Sequence, residues 1–372
     1  MEFSLTEEQE QIRGAAAGFL KGRFQRCAAR EGSAVQPGDA RTEWKAMVQQ
    51  GWTGLAVPER HGGAGGGLLE TCLLIEELGA HQLVTPLLST AVCAGPAIGR
   101  FGTPEQCERW LPAIAEGQVF AYARAAAGGG WGREGSQVRS AEVEDGFVLR
   151  GTAWFVPHAA VAEEFLVVTQ TGAADELTVL MVAADAEGIE CSPLDVVGNE
   201  PQYRLRFADV RVPRSRVLGE PGAGTGIVEF IDDRGAAATC VEMAGGARRV
   251  LEMSVEYATI REQFGRPIGA FQAVQHLCAD MAVDVLGSRL IAYEAVCALD
   301  AGSGDPLTVA SAKAWVSEAY QRVCARGHQV HGAIGYTAEH DLHFYLRHAV
   351  AGSLSFGDAD FHGERVSCAL GL

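Results

Sequence analysis

The run ATCVEMAGGA carries one charge, Glu242, among alanine, glycine and short apolar residues. A carboxylate in such surroundings is poorly solvated, so its pKa rises toward neutrality and it can take a proton from a weakly acidic carbon. The same residue also reads as an exposed helix position near Arg249, two turns on. A second acidic group lies in SLSFGDADFHGERV, where Asp358, Asp360 and His362 crowd together. Their types suit a metal ion, but a solvated loop or helix start accounts for them with less. A third stretch, RAAAGGGWG (Arg124–Gly132), has the glycines of a phosphate cradle without its chemistry. Neither G-x-x-x-x-G-K-[ST] nor a full G-x-G-x-x-G is present.

These residues need elements to hold them. The N-terminal third has helical spacing. LTEEQEQIRGAAAGFL places Leu5, Ile12, Ala16 and Leu20 on one face, with Thr6 as N-cap. LLETCLLIEELG repeats the pattern and is expected to end at Gly79, and GTPEQCERWLPAI opens on Thr103 followed by Pro104. The period changes near Gly117. SAEVEDGFVLRGTAWFV has a D-G turn between β-rich runs, and in QYRLRFADVRVP Tyr203, Leu205 and Phe207 alternate with Arg204 and Arg206. GEPGAGTG (Gly219–Gly226) is a flexible exit, after which helical spacing returns. Asp232 and Asp233 are expected near the start of that helix, where acids suit the dipole. The expected fold class is α+β multidomain, with a helical domain over 1–117, a β domain over 118–222 and a helical bundle over 223–372.

The chain's 372 residues exceed one usual hydrophobic core, which agrees with several domains. With 48% hydrophobic and 21% charged residues the composition is that of a soluble globular protein. A formal net charge of −17 without any Lys/Arg-rich run argues against a nucleic-acid partner. The start, MEFSLTEEQEQIRG, lacks the basic and apolar regions of a secretory signal, and no apolar stretch is long enough to span a bilayer. Ten cysteines without a C-x-x-C pair point to reduced, buried thiols in a cytoplasmic protein and away from a zinc site.

Five stretches together resemble the acyl-CoA dehydrogenase family. In chain order they are GWTGLAVPERHGGAGGG (Gly51–Gly67), FGTPEQCERWLPAIAEG (Phe101–Gly117), FADVRVPRSRVLGEPGAG (Phe207–Gly224), YATIREQFGRPIGAFQAVQHLCADMA (Tyr257–Ala282) and QVHGAIGYTAEHDLHFYLRHA (Gln329–Ala349). The resemblance covers nearly the whole chain. It implies an N-terminal helical domain, a middle β-barrel-like domain and a C-terminal four-helix bundle. It also implies removal of the α-proton and a β-hydride from an acyl-CoA thioester, with FAD as acceptor and an electron-transfer flavoprotein to reoxidise it. Side chains alone cannot accept a hydride, so a cofactor is required. Within REQFG, Arg261 offers a forked donor to a pyrophosphate, with Gln263 and the aromatic face of Phe264 beside it. Gln329, Gly332 and Gly335 of QVHGAIG offer an amide and close backbone approach to the adenosine side. In the family these elements reach the FAD of a neighbouring subunit. Read alone, Arg261 is a helix-surface cation and the glycines end helices.

The resemblance also shows departures. The family's Y-x-x-T-E-P-x-A-G-S-D, which binds flavin and thioester, falls on YARAAAGGGWG, so Ala125, Ala126 and Ala127 replace threonine, glutamate and proline, and Trp131 replaces serine. Its W-I-T/S-N falls on FVPH, with Phe155 at the tryptophan position and Pro157, which has no N–H, at the hydroxyl position. Each lost hydrogen bond is worth about 0.5–1.5 kcal/mol. Phe155 is still able to stack on the flavin. The commonest family base, the glutamate of Y-E-G-T, falls on Phe356, which leaves Asp358 two residues later, Glu242 on the helix where some relatives carry their base, or no base in this chain. His331 and Asp233 are weaker alternatives. An eroded flavin-side loop beside an intact adenosine side suggests a subunit that completes a partner's site. That is the arrangement of bacterial steroid-type α2β2 enzymes; a homo-oligomer is the alternative.

Overall fold

The computed structural model describes residues 5–21, 40–132, 135–172, 176–302 and 306–372. Local capping starts the first helices. In α1 (Glu7–Leu20), the Thr6 hydroxyl accepts the Gln9 N–H while the Gln9 side chain accepts the Thr6 N–H. After α2 (Ala40–Gln49) and α3 (Leu68–His81) comes a π-helical turn, Leu88–Ala94, that runs into α4 (Gly95–Phe101). In α5 (Pro104–Ala115), Thr103 and Gln106 repeat the reciprocal cap with Pro104 in the first turn.

The strands follow as β1 (Phe120–Ala123), β2 (Val138–Val143), β3 (Gly146–Pro157), β4 (Glu164–Thr171), β5 (Leu177–Ala183), β6 (Ile189–Leu194), β7 (Gln202–Pro213) and β8 (Val217–Leu218). They form one eight-stranded sheet in the order β6-β7-β3-β2-β4-β5-β8, with β1 parallel to β4 off that path. A hairpin joins β2 to β3 as expected, but Val143 pairs with Gly146, so the turn residues are Glu144 and Asp145 and Gly146 already belongs to β3. Alternation separates two cores. Phe165 and Val167 of β4 join Phe147, Leu149, Leu205 and Phe207 inside the curled sheet. Leu166 and Val168 face Ile98, Trp110, Ile114 and Ile231 of the helices.

The C-terminal part consists of α6 (Thr225–Ile260), a short hairpin of β9 (Glu262–Gln263) and β10 (Arg266–Pro267), then α7 (Gln272–Asp300), α8 (Pro306–His331), α9 (Leu342–Leu354) and α10 (Ala359–Ala369). One core unites α1, α3, α6, α7, α8 and α9. No helix among the described residues is long and apolar enough to cross a membrane.

Three local expectations are corrected. Gly79 does not end its helix, because α3 runs to His81 and turns at Gln82 with φ +49°. Gly79 serves a helix crossing instead. A Cβ on it would lie 2.0 Å from the Glu242 carbonyl oxygen of α6, and a Cβ on Gly245 would lie 2.0 Å from that of Glu76. Asp232 and Asp233 lie two turns inside α6, which starts at Thr225, so neither is a helix-start acid. The cysteines are free, but Cys191 and Cys368 are exposed rather than buried, and Cys27 lies outside the described residues.

Candidate active site

The reciprocal glycines bring the end of α3 against the middle of α6, and the sheet closes on the same place. Between them lies a cavity of about 510 Å³, within the range of small-molecule sites. Glu242 lines it from α6, Phe155 and Pro157 from the end of β3, Trp131 from the alanine–glycine loop, and Phe356 and Asp358 from the turn between α9 and α10. Phe155 has φ +53° at a register shift between Ala153 and Val156, and this bulge turns its ring, 43% exposed, out of the pleat.

Phe356 stands in the turn with φ +55° and packs over Gly235, where a Cβ would meet its ring at 2.3 Å. Trp131 lies against the ring at 5.7 Å between centroids, and the Arg124 guanidinium covers Trp131 at 5.1 Å. Arg124 Nε pairs with Asp232 at 3.2 Å, and Asp232 also accepts the Tyr122 O–H at 3.1 Å. Burial pushes the Asp232 carboxyl up to about 6, against the pull of Arg124. The turn is fixed from behind by Lys313, fully buried on α8. Its Nζ donates to the carbonyls of Ser353 (3.1 Å) and Gly357 (2.7 Å) and to Ser317 Oγ (3.0 Å). Burial lowers this ammonium to about 8.

The two candidate bases differ in their surroundings. Asp358 is the N-cap of α10, where its Oδ1 accepts the Phe361 N–H at 2.8 Å. Glu242 caps nothing, keeps 29% side-chain exposure and lies 3.6 Å from His348 Nε2. The weaker options are engaged elsewhere: Asp233 pairs with Arg365 at 2.9 Å, and the His331 ring stacks on Tyr257. His362 meets the Phe356 carbonyl at 2.8 Å, and burial lowers its pKa to about 4.

Arg261, Gln263, Phe264, Gln329, Gly332 and Gly335 line no part of this cavity. They gather at another end of the molecule, where Tyr257, one turn before Arg261, stacks on His331 at 4.7 Å. Arg261, Gln263, Gln329 and Gly332 are exposed, and Gly335 is buried against Leu342. Phe264 tips the β9–β10 hairpin at φ +53° with 91% of its surface exposed. A bulky residue in that conformation is strained, and its ring touches Phe271 edge-on at 6.1 Å between centroids while most of its surface faces solvent.

Sequence reasoning missed the Arg124–Asp232 pair, Lys313 and His348. Lys313 carries the signal that exposed Glu242, a single charge in an apolar run, ASAKAWV. The others have no local sign.

The residues fit a flavin cofactor with fewer side-chain donors than usual. The cavity offers the exposed Phe155 face. Ala125 and Ala127 line it, and their main-chain N–H groups have no acceptor among the described residues. The distant cluster offers a guanidinium, two amides and an aromatic ring.

Comparison with known proteins gives the family. The family model "Acyl-CoA dehydrogenase, N-terminal domain" matches residues 6–118, and "Acyl-CoA dehydrogenase, C-terminal domain" matches residues 224–370. "Probable acyl-CoA dehydrogenase YngJ" of Bacillus subtilis is 31% identical, with 94% of each chain covered. Among solved structures, the ChsE4–ChsE5 complex from Mycobacterium tuberculosis is 29% identical with a TM-score of 0.90, covering 100% of this chain and 99% of that one. The FAD complex of PigA is 26% identical with a TM-score of 0.92, covering 100% of both. By motif order, fold and whole-length similarity, the chain belongs to the acyl-CoA dehydrogenase family.

Proposed function

We propose that the chain is a subunit of an FAD-dependent acyl-CoA dehydrogenase assembly in which each FAD is shared between chains. The carrying observation is the division of the site residues: Phe155, Glu242 and Asp358 line one cavity, while Arg261, Gln263, Phe264, Gln329, Gly332 and Gly335 cluster outside it. In this reading the second group binds the pyrophosphate and adenosine of a dinucleotide whose ring lies in a neighbour's cavity. The cavity of this chain receives the acyl-CoA thioester, and Phe155 with the Ala125 and Ala127 N–H groups holds the flavin ring. FAD, when bound, supplies the acceptor for the two electrons of α,β-dehydrogenation. Glu242 takes the α-proton, since of the other lining carboxylates Asp358 caps α10 and Glu200 accepts from Gln202 at 2.7 Å and lies 3.3 Å from His158. An electron-transfer flavoprotein is the acceptor in turn. The heteromeric and FAD-bound relatives support the shared-cofactor arrangement.

One observation favours a second reading. Trp131 and Phe356 pack together where the family carries small and acidic residues, which suits a non-catalytic subunit supporting a paired dehydrogenase. Absorption spectra test the shared cofactor: a flavin band in the chain purified alone or after mixing with a partner chain supports it, and no flavin in any assembly refutes it. Turnover of that assembly separates the two readings, since the second requires no catalytic residue of this chain. In an active assembly, Glu242→Gln is expected to lower turnover about 10²–10⁴-fold with flavin content unchanged. An unaltered rate removes Glu242 from the mechanism.

A further inference from the structure

His348, on α9, lines the cavity with its side chain 16% exposed, and its two ring nitrogens face different partners. Nδ1 lies 3.1 Å from Gln82 Nε2 and 3.3 Å from the Tyr320 hydroxyl. Nε2 lies 3.6 Å from Glu242 Oε2. The orientation of the Gln82 amide decides which nitrogen carries the proton. Gln82 Nε2 also donates to the Gly79 carbonyl at 2.7 Å, which an amide oxygen at that place would repel. Gln82 Oε1 accepts from Asn199 Nδ2 at 3.3 Å, and that nitrogen donates to the Phe344 carbonyl at 3.0 Å. Two carbonyls therefore set both amides, and the second Gln82 proton points at His348 Nδ1. Nδ1 is the acceptor, and the neutral ring carries its hydrogen on Nε2, toward Glu242.

We infer that His348 is the positioning residue of Glu242: the Asn199–Gln82–His348 chain aims an N–H at the carboxylate and keeps it turned to the cavity. The inference rests on the reading of Glu242 as the base. With Nδ1 taken up by the Gln82 N–H, Nε2 is the ring nitrogen left to face the carboxylate. The 3.6 Å separation is longer than a hydrogen bond. Catalytic contacts of this kind tighten in the Michaelis complex. Tyr320 cannot replace His348, because its hydroxyl meets Nδ1 and lies behind the ring.

The test uses the assembled, flavin-loaded enzyme with acyl-CoA. His348→Leu is expected to lower kcat about 10–100-fold, the size of one hydrogen bond to a charged group, with KM and flavin content unchanged. His348→Gln puts an amide N–H near the place of Nε2–H and is expected to restore kcat to within about threefold of wild type. Selective ¹⁵N-histidine labelling, with the His348 signal assigned by its loss in His348→Gln, is expected to show hydrogen on Nε2. A His348→Leu enzyme of unchanged kcat, tested where Glu242→Gln is impaired, overturns this inference and leaves the base assignment standing. A Glu242→Gln enzyme of full activity overturns both. Hydrogen on Nδ1 in the labelled protein also overturns the inference, whatever the rates.

Discussion

Replacing Gly79 by alanine tests the crossing that brings Glu242 to the cavity. The new Cβ would stand 2.0 Å from the Glu242 carbonyl oxygen, whereas ordinary contact begins at 3.4 Å, a shortfall of 3.4 − 2.0 = 1.4 Å. Neither partner is a flexible side chain, so α3 and α6 must separate. Glu76 and Glu77 of α3 move with the backbone. Glu76 accepts from Tyr293 at 2.6 Å and Arg289 at 3.2 Å, and Glu77 accepts from Arg248 at 2.8 Å. Overpacking alone costs about 1–3 kcal/mol, and loosening these charge-assisted bonds raises the total to about 2–4 kcal/mol. Scanning calorimetry is expected to show melting lowered by roughly 5–10 °C. Displacing Glu242 by about 1 Å is expected to cost up to ~10²-fold in turnover of an active assembly. Gly99→Ala is the control: it lies exposed in α4 with nothing within 4 Å of the new Cβ, and its melting is expected to be unchanged or slightly raised. A Gly79→Ala protein that melts like wild type and keeps its helix separation would refute the crossing argument.

Two buried charges make opposite predictions for pH. Lys313 is lowered from 10.5 to about 8, so the native state binds fewer protons than the unfolded chain between those values. Stability is expected to rise with pH through that window by up to about 3 kcal/mol, and Lys313→Met to lack the rise in denaturant titrations. Parallel pH curves for the two proteins would contradict this. Asp232 is raised from 3.8 to about 6, so the native state holds its proton more tightly, and this group's contribution is present below pH 4 and lost as pH climbs to 6. Asp232→Asn is expected to remove that loss, up to about 3 kcal/mol; a difference that stays constant from pH 4 to 6 refutes it.

What was legible in the sequence was local. Thr6 and Thr103 announce their helices because a cap and its partner lie three residues apart, and Asp145-Gly146 marks its hairpin to within one residue, the turn itself being Glu144-Asp145. Glu242 was visible as a lone charge in an apolar run. Gly79 was misread because a glycine that ends a helix and one that admits a second helix look alike in one dimension. Asp232 was misread because α6 begins inside the glycine-rich GAGTG, which reads as loop. The Gln82–His348 contact joins residues 266 apart and leaves no trace in either neighbourhood.

Gln106 does more than cap α5. Its Oε1 takes the Thr103 N–H, while its Nε2 reaches the carbonyls of Ser215 and Val217 at 2.9 and 2.8 Å. One amide thus completes the beginning of a helix and the tail of a sheet at once. Without that side chain the Thr103 N–H and the Ser215 and Val217 carbonyls all lose this partner, so a break at that glutamine is felt in both elements.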